Sequence, residues 1–251
     1  MTRPAESVHY YARDGSPAYT VIGKNGKERN TTLRDARLLD LVPSVTTIIK
    51  ECNKEGLNHW LQEQVLLAAL TLPRDPNETE KFWIERVWAD SREQARKAAE
   101  RGTAIHAAIQ TFYEGKGSPT DYWEHVKGAS KAIAERFPGY RWTAEKSFCH
   151  ELSFGGKIDL HDPREQVVLD IKTKEFSDPA KLDLYPEHLM QLSAYGRGLA
   201  FDKPRAGIVF VSASVPGLAH IVMADDEDIE RGWIMFVNLL YYWKARNRFG
   251  K

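Results

Sequence analysis

Cysteine is scarce in this chain: 251 residues hold two, Cys52 and Cys149, far apart and without metal-site spacing. A four-cysteine zinc or iron–sulfur site within the chain is thereby excluded, and no disulfide need be invoked, which fits a reducing compartment. An excess of either charge is also missing, because 35 basic residues offset 35 acidic ones. No global polycation argues for nucleic acid, so any phosphate-binding surface must be local. No run approaches the roughly 18 apolar residues of a membrane span, and Met1–Glu6 lacks the apolar core of a signal peptide. The expectation is a soluble, intracellular, cytoplasmic protein. Walker, dinucleotide-glycine and Gly-x-Ser-x-Gly patterns are absent, which weakens NTPase, dehydrogenase and hydrolase-triad readings. Neither an internal repeat nor a low-complexity segment interrupts the chain.

What is present is organised around Gly155-Gly156-Lys157-Ile158-Asp159-Leu160 and Gln166-Val167-Val168-Leu169-Asp170-Ile171-Lys172-Thr173-Lys174. The first reads as a Gly-led strand entry and the second as a short β-branched run suited to a buried strand, together forming a hairpin. Antiparallel pairing brings Asp159 beside Asp170, and strand alternation puts Asp170 and Lys172 on one face with Ile171 pointing away. Mg²⁺ or Mn²⁺ takes oxygen ligands from one or two carboxylates and keeps positions for water and phosphate oxygens. A lysine beside them can orient the attacking water and offset phosphate charge. The bland alternative is a turn-capping Asp159 and an exposed Asp170–Lys172 ion pair.

Before this hairpin, Tyr10–Arg29 reads as a strand pair with an Asn-Gly turn lying outside any catalytic core. A short helix over Thr32–Leu39 precedes Pro43-Ser44-Val45-Thr46-Thr47, which starts another. The hydroxyls of Ser44, Thr46 and Thr47 could hold a phosphate there or merely cap the helix. Helical spacing continues over Asn58–Leu72 and from about Glu78 to Glu114. In the latter, Trp83, Val87 and Trp88 read as a core stripe or an aromatic platform. Gly102 suggests a break or a close approach, and small residues flank His106, a structural histidine or a ligand. A helix over Tyr122–Phe137 leads to a strand over Arg141–Cys149, where Glu145 is an outer metal ligand or a solvated residue. Beyond the hairpin come a helix over Pro186–Ala200 with Gln191 and Tyr195 one turn apart, strands at Ala206–Ser212 and Leu218–Met223, and a dipole-matched helix from Asp225 to Arg248.

This order, helix with Gly-Thr-x-x-His, strand with Glu145, strand with Gly-x-Ile-Asp, strand with Asp-x-Lys, helix with Gln-x-x-x-Tyr and two more strands, resembles the PD-(D/E)XK nuclease superfamily. Within it the resemblance is to the RecB-like exonuclease branch, which includes phage-borne enzymes and the mitochondrial genome maintenance exonuclease. It covers about residues 98–212; the opening hundred residues share only a Pro-Ser-Val-Thr-Thr segment with phage exonuclease-like proteins. Ile158 stands where many members have Pro, and residue 170 is Asp rather than Glu.

The resemblance implies an α/β fold with a restriction-endonuclease-like core: a central mixed sheet flanked by helices. It places one nuclease domain over residues 1–251, with an N-terminal hairpin and helical extension over 1–97, a catalytic core over 98–223 and a C-terminal helix over 224–251. Metal ligands would be His106, Asp159, Asp170 and the Ile171 carbonyl, with Glu145 matching less firmly. Lys172 would be the catalytic lysine. Gln191 and Tyr195 would lie near DNA, Tyr195 stacking on a base or touching the backbone, and Lys174 would join the nucleic-acid surface. The implied activity is exonucleolytic hydrolysis of DNA with one or two Mg²⁺ or Mn²⁺ ions and no iron–sulfur cluster. Its setting would be phage or cellular recombination, repair or processing, with a recombination or single-strand-binding protein as partner. Rival readings are a structure-specific endonuclease, a silent DNA-binding recombination partner, and a phosphohydrolase of small substrates.

Overall fold

The computed structural model describes residues 8–52, 55–117 and 121–250. Its centre is a five-stranded mixed sheet built from β5 (Thr143–His150), β6 (Phe154–Asp162), β7 (Val167–Lys174), β8 (Arg205–Ser212) and β9 (Ala219–Met223), side by side in that order. All neighbours are antiparallel except β7 and β8, whose parallel pairing is made possible by the crossover helix α6 (Pro186–Gly198). Alternation in β7 and β8 sorts their side chains cleanly. Leu169, Ile171, Val209 and Val211 point to one side, whereas Val168, Ile208 and Phe210 point to the other.

Helices cover both faces, as the apolar run on each side of β7 demands. On the first lie α4 (Glu80–Tyr113) and α5 (Trp123–Arg136), which contribute Ile105, Ile109, Val126 and Ile133. On the second lie α6 and α7 (Asp226–Arg246), with Leu192, Phe236 and Leu240. Asp225 caps α7 through Asp228 N at 2.7 Å, and Lys244 and Arg246 end it, so its charge order follows the helix dipole as expected.

The N-terminal segment joins this second face. β1 (Tyr10–Tyr11) pairs with β4 (Val42–Pro43), while β2 (Thr20–Ile22) and β3 (Glu28–Asn30) form the hairpin closed at Gly26. Tyr10, together with Ala36 of α1 (Leu33–Leu38) and Ile48 of α2 (Val45–Ile49), belongs to the same apolar cluster as Phe154 and Phe236. The segment therefore shares the protein's hydrophobic core, while β2 and β3 themselves stay at the surface. The reason is contact with β6: a Cβ on Gly155 would meet the Tyr11 side chain at 2.8 Å, so only glycine admits the crossing.

Two further departures concern helices. α4 runs unbroken through Gly102, where a Cβ would meet Thr173 of β7 at an ordinary 3.7 Å, so neither a break nor a close approach by another part of the described chain accounts for the glycine. Before it, α3 (Glu55–Thr71) and the first half of α4 form an antiparallel pair anchored by Trp83 Nε1, which donates to Leu72 O at 2.6 Å. Of the expected stripe in α4 only Val87 is buried, and Trp88 is exposed. Among the described residues no helix is long and apolar enough to cross a membrane.

Candidate active site

Where β6 and β7 leave the sheet centre, the acids, the lysine and the histidine meet. The β6–β7 register, Leu160 opposite Leu169, sets Asp159 across from Asp170. Alternation in β6 is interrupted at this point: Ile158 packs in one apolar cluster and Leu160, two residues on, in the other. Opposite Asp159 in β5, Glu145 has φ of 60°, and the ladder skips it between Ala144 and Lys146. Left-handed backbone at a non-glycine residue is strained and marks a local reorientation. That reorientation lets Asp159 address α4 while Asp170 addresses α6.

From α4, His106 Nε2 lies 3.0 Å from Asp159 Oδ2, which also accepts from Ile171 N at 2.8 Å. Ile171 thus enters through its amide, while its side chain packs on the α4–α5 face. From α6, the buried Gln191 serves three groups at once. Its Nε2 donates to Asp170 Oδ1 at 2.7 Å and to Tyr195 Oη at 2.9 Å, and its Oε1 accepts from Lys172 Nζ at 3.0 Å. Lys172 Nζ completes a triangle at 2.7 Å from Asp170 Oδ2.

Environment drives the two carboxyls apart. Burial pushes Asp170 above the usual carboxylate range, and the charge of Asp159 adds to this against the pull of Lys172. Burial works the same way on Asp159, but the hydrogen bond and charge of His106 overcome it and hold the group below its ordinary value. His106 is correspondingly raised: burial disfavours its cation, yet the Asp159 bond and the surrounding acids prevail. Lys172, also opposed by burial, is kept charged by Asp170. Burial pushes the Tyr195 phenol well above its usual range.

Glu145 is half-buried, with its carboxylate oxygens out of solvent, and its partner is Lys157 of β6, an ion pair the sequence reading did not assign. Among the described residues the Glu145 oxygens have no hydrogen-bond partner apart from that ammonium, and Asp170 Oδ2 has only the Lys172 ammonium at 2.7 Å. Carboxylate oxygens held out of solvent and met by a lysine ammonium alone keep lone pairs that a hard cation can bind. Among the described residues no three His, Cys, Asp or Glu side chains stand close enough to enclose an ion by themselves. The donor set fits Mg²⁺ or Mn²⁺ in the sense that these ions take one or two carboxylates and complete their shell with water and phosphate.

The expected nucleic-acid residues sort differently. Ser44 and Thr47 are buried: Ser44 Oγ accepts from Thr47 N at 3.0 Å, and Thr47 Oγ1 bonds His9; Thr46 is exposed, its hydroxyl 3.0 Å from Ser44 Oγ. Gln191 and Tyr195 face inward, and the Tyr195 ring packs edge-on against Phe148, so neither offers a surface for a base. The periodicity placed them together but could not tell an inward polar pair from an outward one. Lys174, next on the Asp170–Lys172 face, lies 5.4 Å from the Tyr185 ring centroid.

No family model matches the chain, and no curated protein matches it either. Among solved structures it is similar to a putative exonuclease from Eubacterium rectale (14% identity, 60% of this chain and 69% of the other covered, TM-score 0.42). It is likewise similar to an alkaline exonuclease from Laribacter hongkongensis (14% identity, 82% and 89% covered, TM-score 0.41). A third is a phage related exonuclease from Haemophilus somnus 129PT (14% identity, 57% and 80% covered, TM-score 0.29). Likenesses this distant leave function to be argued from the chain's own residues.

Proposed function

We propose that this chain is a PD-(D/E)XK-type nuclease that hydrolyses DNA phosphodiester bonds with Mg²⁺ or Mn²⁺, working from strand ends. The observation that carries the reading is the meeting of a His106–Asp159 pair and an Asp170–Lys172 pair, drawn from α4, β6 and β7, with the buried Gln191 bridging the second pair. A structural ion pair needs neither a second buried acid nor a third element delivering an imidazole, and burying such a cluster costs stability.

Asp159, Asp170, His106 and the Ile171 carbonyl would hold the ion, with Glu145 further out. When bound, the ion supplies charge stabilisation at the phosphoryl oxygens and makes a neighbouring water more acidic. Lys172 does the rest of the chemistry available to side chains here. Its ammonium, fixed by Asp170 and Gln191, donates to the attacking water or to a phosphate oxygen and offsets the negative charge that grows there. His106 and the Ile171 amide fix Asp159 in one orientation, which lowers the cost of assembling the site.

End-labelled linear DNA, single- and double-stranded, incubated beside circular forms in Mg²⁺ and in Mn²⁺, tests this. The expected result is metal-dependent loss of linear substrate with circles intact. Cut circles would replace the exonuclease by an endonuclease, and DNA binding without cleavage would leave a silent binding protein.

A further inference from the structure

Asp159 stands between two acid–lysine pairs, and the pairs are not alike. On its β7 side the Asp170–Lys172 pair shares the site with Asp159 itself, which is bonded by His106 and the Ile171 amide rather than by a lysine. Two carboxylates there face one ammonium. On its β5 side Glu145 and Lys157 are matched one to one.

That second pair is held firmly. Glu145 has φ of 60° in the rung opposite Asp159, a conformation that persists only where the surroundings impose it. Its carboxylate oxygens are out of solvent, and among the described residues the Lys157 ammonium is their partner. Burial works against the charge of Lys157, but the bond to Glu145, with Tyr19 and Asp159 nearby, keeps its ammonium above the usual range. The N-terminal segment walls the same face of β6. A Cβ on Gly155, two residues before Lys157, would meet the Tyr11 side chain, and Tyr11 Oη lies 2.7 Å from Tyr19 Oη. The Lys157 side chain is left 35% exposed, within reach of a substrate.

Each Mg²⁺ or Mn²⁺ draws on one or two carboxylates. Asp159 and Asp170 supply one such set, and among the described residues no three His, Cys, Asp or Glu side chains gather closely enough to extend it. Glu145 keeps lone pairs, yet its charge is already matched, and a divalent ion set on it would meet the ammonium as a like charge. We propose, on the reading of this chain as a metal-dependent nuclease, that the site takes a single divalent cation, held by Asp159 and Asp170, and that the Lys157 ammonium, seated on Glu145, stands in for a second. Lys157 then offers phosphate oxygens a fixed positive charge that no chelator removes.

Calorimetric titration with Mn²⁺, read as ions bound per chain, tests this without reference to cleavage. Wild type should bind one ion, and Glu145→Gln should still bind one, because the carboxylate it loses serves Lys157. Lys157→Gln leaves Glu145 uncompensated and should bind two, while Lys157→Gln/Glu145→Gln should return to one. Circular dichroism checks the fold of each variant, and wild type with Glu145→Gln decides the matter if Lys157→Gln does not fold. Two ions in wild type, loss of the ion in Glu145→Gln, or one ion in a folded Lys157→Gln overturns the proposal and leaves the nuclease reading standing. Wild type that binds no Mn²⁺ removes that reading and the proposal with it.

Discussion

Gln191 shows how much one side chain can settle. Its amide holds Asp170 by one end and Lys172 by the other, so the carboxyl and the ammonium of the site share a single orienting group. Gln191→Leu keeps much of the volume but removes one hydrogen bond from each of Asp170 and Lys172, leaving them only their mutual ion pair in a buried setting. The expected outcome is a fall in kcat of about 10–100-fold, the usual cost of losing an orienting partner around a metal site. KM for DNA should change little, because Gln191 is buried away from substrate; steady-state kinetics on a linear substrate separates the two. Asp162, at the far end of β6, gives a stability test independent of function. Burial opposes its ionisation, but bonds from Arg141 N, the Arg164 side chain and Arg164 N hold its carboxyl down to about 2. A depressed carboxyl stabilises the fold above its unfolded value and loses that contribution as pH falls through the folded one. Roughly 2 kcal/mol is therefore present above pH ~4 and fades towards pH ~2. Urea unfolding of Asp162→Asn should show most of that loss at pH 7 and a flatter decline in acid.

Among the elements, two glycines on helices make opposite predictions. A Cβ on Gly232 of α7 would come 2.4 Å from Leu189 O of α6, a backbone atom that cannot turn aside. Gly232→Ala should cost about 1–3 kcal/mol by forcing the helices apart. Gly102 of α4 has Thr173 at an ordinary 3.7 Å, so Gly102→Ala should stabilise by up to about 1 kcal/mol. Chemical denaturation midpoints decide both. The sequence made the elements themselves legible: the hairpin strands, the helix that is α6 and the charge-ordered α7 all follow from periodicity and end signals, whereas the parallel pairing of β7 with β8 does not. Asp170 and Lys172 were legible as a pair because alternation along one strand is local. Glu145 and Lys157 were not, since their pairing needs the β5–β6 register and a left-handed backbone at a residue that ordinarily avoids it. Nor was the inward turn of Gln191 and Tyr195, because helical spacing gives neighbours on a face without saying what the face meets.

At the scale of the whole molecule, two layers of helix hold a sheet whose exit edge carries the charged cluster. Burying so many ionisable groups is costly, and a bound cation would relieve the repulsion between Asp159 and Asp170. Millimolar Mn²⁺ should therefore raise the melting temperature of the wild-type protein by a few degrees, about 1–3 kcal/mol of added stability if the ion is near saturation. Asp159→Asn and Asp170→Asn should each abolish that rise, which calorimetry reads without reference to activity. Balanced overall charge makes DNA contact a local matter, so the salt dependence of binding should correspond to only a few phosphates.

The most direct test of the central claim is single-turnover cleavage of end-labelled linear DNA by wild type, Asp170→Asn and Lys172→Ala in the same Mg²⁺ buffer. Cleavage by wild type that stops in EDTA and falls at least about 10³-fold in both variants, with DNA binding retained, is the predicted result. Cleavage that survives either substitution, or that proceeds unchanged in EDTA, would contradict it.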